Sequence, residues 1–517
     1  MKTAAPFSHL LACMLVLSLL SPDILPAQTP SIHPPKVEAV LRKAGRNRAE
    51  LEKAIAYFRH TKDPLKVKAI YFLIANMDIH YSEEYFWADD KSRRIPFNEL
   101  DYPDLTSSLK MFAVLKEKHP DIHSIPAAYR DIDSMKAGML IDNVEKAFEE
   151  WRKPRARSIS FDDFCEYILP YRVTIEPVQN WRKVYQQSFN WIDDSASGKP
   201  AGEALGYFVR DYNKWFFNNY KIEDNEGSQP RLGAMQLLHR KKGACGDIAD
   251  LMVFTLRSQG IPATIDQVPF WATASGKHFM NVCFDAGMKP ISFDVSTPSV
   301  TGEKLAREPA KVIRITYSKQ RQSLAALEPV ASIPEGFMRL PNYIDVTKEY
   351  WQAGDVHCPL YHAQTSRIAY ACVFNFLHWN PAWWGRVNKD SVVFRDMCKG
   401  AVFLPMYYRT GKLVPAGYPV LQGYDRMQVL QPDLAHRHDI HLREQAGYLV
   451  FRPGKKYRLL YWDGSWKRVG EQVPSSTTVT LDFDRVPMNA LLLLLPEYTQ
   501  HKERPFIIDA DGRREWF

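Results

Sequence analysis

The stretch GACGDIADLMVFTLRSQGIPAT, residues 243–264, decides how the chain is read. Ile248, Leu251, Met252 and Thr255 recur at the spacing of one helix face, and Gly260 followed by Pro262 supplies the stop. Cys245 therefore sits in the first turn of a helix. Unpaired N–H groups and the positive end of the helix dipole favour a thiolate there. Arg240, Lys241 and Lys242 just upstream push the same way, while Asp247 opposes them. Gly243, Ala244 and Gly246 leave room for a substrate carbonyl to reach the sulfur and for the Cys245 N–H to meet a developing oxyanion. A lone cysteine in an apolar helix is ordinarily an inert packing residue. A histidine and an aspartate downstream reverse that reading.

A thiol nucleophile needs a base, and the base needs an orienting acceptor. Lys277-His278 follows Gly276 at the start of a strand pattern. The runs HFMNVCFDA and PISFDVS read as neighbouring strands around a turn at Ala286-Gly287, with Asp294 on the second. Adjacent antiparallel strands can hold His278 and Asp294 side by side and fix the imidazole tautomer, with His278 about 3 to 4 Å from Cys245. Cys283, in the same strand as His278, is expected to face the other side and pack. Trp271, upstream of His278, either lines the cleft or packs.

A cysteine opening a helix that ends in Arg257-Ser-Gln-Gly260-Ile261-Pro262-Ala263, followed by a Gly-x-His strand and a Phe-Asp strand, resembles the transglutaminase-like superfamily. The resemblance implies a papain-like α+β core over roughly residues 200–300, with the nucleophile at Cys245, the histidine at His278 and the aspartate at Asp294. The flanks FCEYILPYR (164–172) and VPMNALLLLLPE (486–497) more loosely resemble large secreted bacterial proteins in which this core lies between a helical region and β-domains. Animal transglutaminases carry a tryptophan after the nucleophile and an aromatic two residues after the histidine, where this chain has Gly246 and Met280. That departure argues against glutamine–lysine crosslinking. Trp215 and Gln236 are candidate second oxyanion donors. The pairs Asp131/Asp133 and Asp509/Asp511 lack a full calcium loop, so neither a metal nor another cofactor is expected.

Composition sets the frame for this core. With 45% hydrophobic, 13% aromatic and 24% charged residues, the 517-residue chain has the make-up of a folded multidomain protein. The formal charge of +8 comes without a long Lys/Arg run, which argues against nucleic-acid binding. The apolar run Leu10 to Leu20, ended by Ser21 and Pro22, reads as a secretory signal peptide over 1–27, cut after Ala27. Leu10-Leu11-Ala12-Cys13 precedes the apolar run that a lipidation box should follow, so it is set aside. No later run suits a membrane span, and the mature protein is expected to be exported to the periplasm, cell surface or exterior.

Organisation follows from the hydrophobic period. Residues 28–195 read as an all-helical region, 196–325 as the transglutaminase-like core, and 326–517 as an all-β region of one or two sandwich-like modules. Six cysteines remain after Cys13; they are too sparse for a disulfide scaffold, and the sequence leaves open a bridge among Cys358, Cys372 and Cys398. His436, His438 and His441 could bind zinc but read better as exposed histidines between β-modules. Trp379, Trp383 and Trp384 suit a sugar-stacking platform, yet fit the core of a small β-domain better. The whole points to an exported cysteine-dependent acyl transferase or hydrolase acting on a peptide, protein or glycopeptide. Its rivals are a degenerate transglutaminase-like binding protein, a peptide N-glycanase-like amidase and a true crosslinking enzyme.

Overall fold

The computed structural model describes residues 33–192, 221–222, 231–294, 305–361, 366–445, 449–509 and 512–517. The proposed signal segment, its Cys13, and Trp215 lie outside the described residues. Among those described, no helix is long and apolar enough to cross a membrane.

The N-terminal unit is built on the helices Pro35–Lys43, Arg48–His60, Pro64–Asn76 and Ala137–Trp151. Leu51, Ile55, Phe58, Leu73, Leu140, Val144 and Phe148 form its core. Helix Pro64–Asn76 starts where it does because Asp63 accepts from the Leu65 and Lys66 N–H groups, with Pro64 at the first position. The all-helical expectation needs correction: Tyr81–Ala88 pairs antiparallel with both Arg94–Ile95 and His123–Arg130. The run YSEEYFWA is aromatic at three of its last four positions, which suits a half-buried strand better than a helix. Buried Arg172 ties this sheet to the helices, forking onto Asp131 at 2.7 and 2.6 Å and donating to Tyr81 O at 2.8 Å.

The central sheet is antiparallel, in the order Tyr343–Asp345, Ile313–Ile315, Ala263–Val268, His278–Phe284, Pro290–Phe293. It thus draws an edge strand from beyond residue 325. The helix Cys245–Ser258, which carries the expected nucleophile and is termed the nucleophile helix, packs on one face through Ile248, Leu251, Met252 and Leu256. Its end is a Schellman turn: Ile261 N–H reaches Leu256 O at 3.0 Å, and Gly260 takes φ +70°. Glycine is needed there twice over, because a Cβ would also stand 3.0 Å from Glu150 O of the neighbouring N-terminal helix. Arg257 locks the two units together, its side chain donating to Arg172 O at 2.7 Å and its carbonyl accepting from Arg182 at 3.5 Å.

Two β-modules follow. The first is an eight-stranded sheet running Ala353–Pro359, Ser391–Cys398, His378–Asn388, Ile368–Asn375, Ala401–Arg409, Val420–Gln422, Met427–Val429, with Lys412–Pro415 paired to Ala401–Arg409. The second joins the pair Asp433–Arg443/Thr480–Met488 to a five-stranded sheet built around Tyr457–Trp462 and Leu492–Pro496. Trp379, Trp383 and Trp384 are packing residues. A bulge opposite Ala371/Cys372 puts Trp379 and Trp384 in one core and Trp383 in another, so they present no common face. Cys358, Cys372 and Cys398 are buried and unbridged, which answers the disulfide question left open by the sequence. His436, His438 and His441 lie on the strand Asp433–Arg443, not in a linker. His436 pairs with Asp433 at 2.8 Å and His441 with Asp482 at 2.7 Å.

Candidate functional site

Cys245 is the first residue of the nucleophile helix, capped by Ala244. Asp247 closes the cap, accepting from Ala244 N–H at 2.9 Å and from Leu232 N–H at 3.0 Å. Alone among Cys165, Cys245, Cys283, Cys358, Cys372 and Cys398, Cys245 is not fully buried. Partial burial pushes its thiol above the ordinary value, against the pull of Arg231, the Gly246 N–H and Lys277. Burial thus favours the thiol form of Cys245 over the thiolate. The upstream cations do not act as the sequence suggested: Arg240 is drawn 2.7 Å from Glu99, and the cations that face the sulfur are Arg231 and Lys277.

Arg231 is the residue the sequence did not single out. Its Nη2 lies 2.7 Å from Asp250 Oδ2 and 3.3 Å from Thr174 Oγ1, and its guanidinium covers the Phe279 ring at 5.1 Å. It also lies across Gly246, where a Cβ would overlap Nη1 and stand 2.8 Å from Cζ. Gly246 is thus a glycine because an arginine fills the space that a side chain after the nucleophile would occupy. The only legible signal was a charged residue at the close of the NEGSQP loop.

The base half lies on the strand His278–Phe284 and its neighbour. His278 Nε2 and Asp294 Oδ2 are 2.7 Å apart. With Nε2–H donating to the carboxylate, Nδ1 is left as the acceptor. Trp271 stacks on the imidazole, centroids 5.7 Å apart and planes 26° apart, so it lines the site. The loop between Trp271 and Gly276 is fixed by Asn375 from the first β-module. Its Nδ2 lies 3.2, 3.1 and 3.1 Å from the carbonyls of Trp271, Ala274 and Gly276, and its Oδ1 accepts from Gly276 N–H at 3.0 Å. Arg504 of the second module adds a bond to Ala272 O at 2.6 Å.

The two halves are not joined. No hydrogen bond links Cys245 Sγ to His278 among the described residues, contrary to the expected contact. Strand alternation gives the reason. Phe279, Asn281 and Cys283 face the nucleophile helix, Asn281 donating to Ala249 O at 2.9 Å. His278 shares its stacking partner Trp271 with buried Met280 on the other side. Cys283 packs as expected. Gln236 is corrected as an oxyanion donor: its Oε1 accepts from Gly233 N–H at 2.8 Å and its Nε2 donates to Glu99 at 3.1 Å. Asp131 is likewise taken by Arg172 and Tyr171, and Asp133 by Arg130. Asp511 lies outside the described residues.

Residues 195–287 match the family model described as the transglutaminase-like superfamily. No curated protein matches the chain. Among solved structures, the crystal structure of red sea bream transglutaminase is similar at 12% identity over 84% of this chain and 76% of that one, with a TM-score of 0.17, too low to support a comparison of sites. The segment that carries Cys245 and His278 is thus similar to the transglutaminase-like superfamily.

Proposed function

We propose that the protein is an exported cysteine-dependent acyl-transfer enzyme that hydrolyses an amide or peptide bond through a thioester at Cys245. The observation that carries this reading is the 2.7 Å His278–Asp294 pair in the strands beside a helix that opens on Cys245. As the sulfur attacks the scissile carbonyl, its proton passes to His278 Nδ1, and Asp294 stabilises the resulting imidazolium. The proton then goes to the leaving amine, which departs as the thioester forms. Water, deprotonated by His278, releases the acid and restores the thiol. Free enzymes often hold such groups further apart than the reacting complex does, so substrate binding is assigned the task of turning His278, the first residue of its strand, toward Cys245.

Hydrolysis is favoured over crosslinking by the charge around the sulfur. Arg231 and Lys277 repel a protonated lysine, and an arginine side chain, not an aromatic one, lies directly against Gly246. A labelled acyl donor should therefore give mainly free acid even with millimolar primary amine present, and calcium should change neither rate nor product. Predominant amide product, or strict calcium dependence, would replace hydrolysis by crosslinking. The missing Cys245–His278 contact favours a second reading, a binding protein that keeps the fold without turnover. Cysteine-directed acylating probes with mapping of the labelled residue separate the two: a binding protein leaves Cys245 unlabelled.

A further inference from the structure

Between the strand Tyr81–Ala88 and the helix Ala234–Arg240 lies a cleft of about 860 Å³. Its wall is aromatic: Trp87 and Phe112 lie 4.4 Å apart by centroid, Phe97 and Phe112 5.0 Å, and Tyr85 and Trp87 5.4 Å. Arg231 lines the same cleft, and its guanidinium is the group that crosses Gly246 beside the nucleophile. Arg231 therefore links the cleft to the residue that follows Cys245.

That arginine has donors to spare. Nη2 serves Asp250 and Thr174. Nε is buried without a hydrogen-bond partner, its nearest carboxylate oxygen, on Asp247, standing 3.9 Å away. Nη1 meets no acceptor among the described residues. The neighbouring carboxylates are occupied elsewhere: Asp247 by two backbone N–H groups, and Glu176 by the Val173 and Thr174 N–H groups at 2.7 Å each. Glu99, at the far end of the cleft, is taken by Arg240 and Gln236. A part-buried guanidinium whose Nη1 has no acceptor among the described residues, set in an aromatic cleft, suits a carboxylate carried on an apolar or extended chain.

We propose that Arg231 is the specificity residue of the site, and that the acyl donor is an acidic peptide whose side-chain carboxylate binds Arg231 while its flanking chain lies in the aromatic cleft. This rests on the Cys245 hydrolase reading. Phe279 under the guanidinium and Asp250 behind it hold the fork in one orientation, so that recognition requires the planar group and not merely a positive charge.

The test uses paired peptide amides that differ only in Glu against Gln, or Asp against Asn, beside the scissile bond. The wild-type chain should favour the acidic member at least tenfold in kcat/KM, and Arg231→Gln should bring the ratio to within about twofold of unity while Arg231→Lys restores only part of it. Melting temperatures report whether either variant has lost its fold, and the wild-type ratio needs no variant at all. Peptide binding to Cys245→Ala reads the same preference without chemistry. Acid-selective binding with no turnover by the wild type keeps the inference and discards the hydrolase. Turnover with equal preference for the two peptides overturns the inference and leaves the hydrolase standing.

Discussion

Cys245 and His278 are held in place by different means. Cys245 takes its setting from its own helix start and from Arg231, Leu232 and Asp247, all within fifteen residues of it in the chain, with Lys277 as a more distant cation. The histidine follows a loop that is fastened from outside: Asn375, 99 positions beyond Gly276, bonds three of its carbonyls and one N–H, and Arg504 bonds Ala272. The comparison teaches that the nucleophile half depends on local capping and charge, whereas the base half depends on the β-modules being docked. The β-modules thereby hold the loop that leads into His278.

The strongest way to probe this division is to remove each chemical group in turn. Cys245→Ala should abolish turnover, a loss of at least about a thousandfold, and leave the melting temperature close to that of the parent, because a small, partly buried thiol at the helix start fills little core. Asp294→Asn should cost about a hundred- to ten-thousandfold in kcat, since the wrong imidazole tautomer is then favoured, again without unfolding. A large fall in melting temperature with unchanged specific activity in the folded fraction would make Asp294 structural.

Next comes the fastening. Asn375→Ala leaves Gly276 N–H and three carbonyls without that partner, and should cost about 2 kcal/mol of stability. Turnover should fall about tenfold, mainly in kcat, while the alkylation rate of Cys245 stays within about twofold of the parent. Equal losses in alkylation and turnover would erase the distinction between the two halves.

The distinction also bears on what a sequence reveals. Cys245 and the stop at Gly260-Ile261-Pro262 were legible because helix periodicity and caps are local, and His278 with Asp294 was legible because a hairpin fixes neighbours by alternation. Arg231 was not, because its role depends on a missing Cβ at Gly246, fifteen residues away, and a glycine does not say what fills its space. Asn375 could not be found for the plainer reason that its partners lie in another module. Gln236 and Arg240 were misjudged together: both sit close to Cys245 in sequence, but Glu99 on the other side of the cleft takes them. The three-stranded sheet in the N-terminal unit was missed because the helical period of Leu51, Ile55 and Phe58, and of Leu140, Val144 and Phe148, was carried across the aromatic run between them.

The smallest expected effect concerns pH. Because burial raises the Cys245 thiol above its ordinary value, the thiolate fraction at pH 7 is lower than that of an exposed cysteine. Its alkylation rate should rise about tenfold per pH unit from neutral pH and level off only above the usual thiol range. It should still exceed that of the five buried thiols throughout, since burial pushes every one of them upward too. A plateau already reached at pH 6 would mean a preformed thiolate, and hence a contact with His278 that this structure lacks.

The proposed function turns on Cys245 forming the acyl-enzyme with His278 as its base. Rapid-quench mass spectrometry of the protein mixed with an activated acidic acyl donor tests it most directly. The account predicts a pre-steady-state burst in which the peptide containing Cys245 gains the mass of the acyl group, decaying to free acid, with His278→Ala slowing the burst by at least about a hundredfold. An acyl group on any other residue, or a burst at Cys245 that is unchanged in His278→Ala, would contradict it.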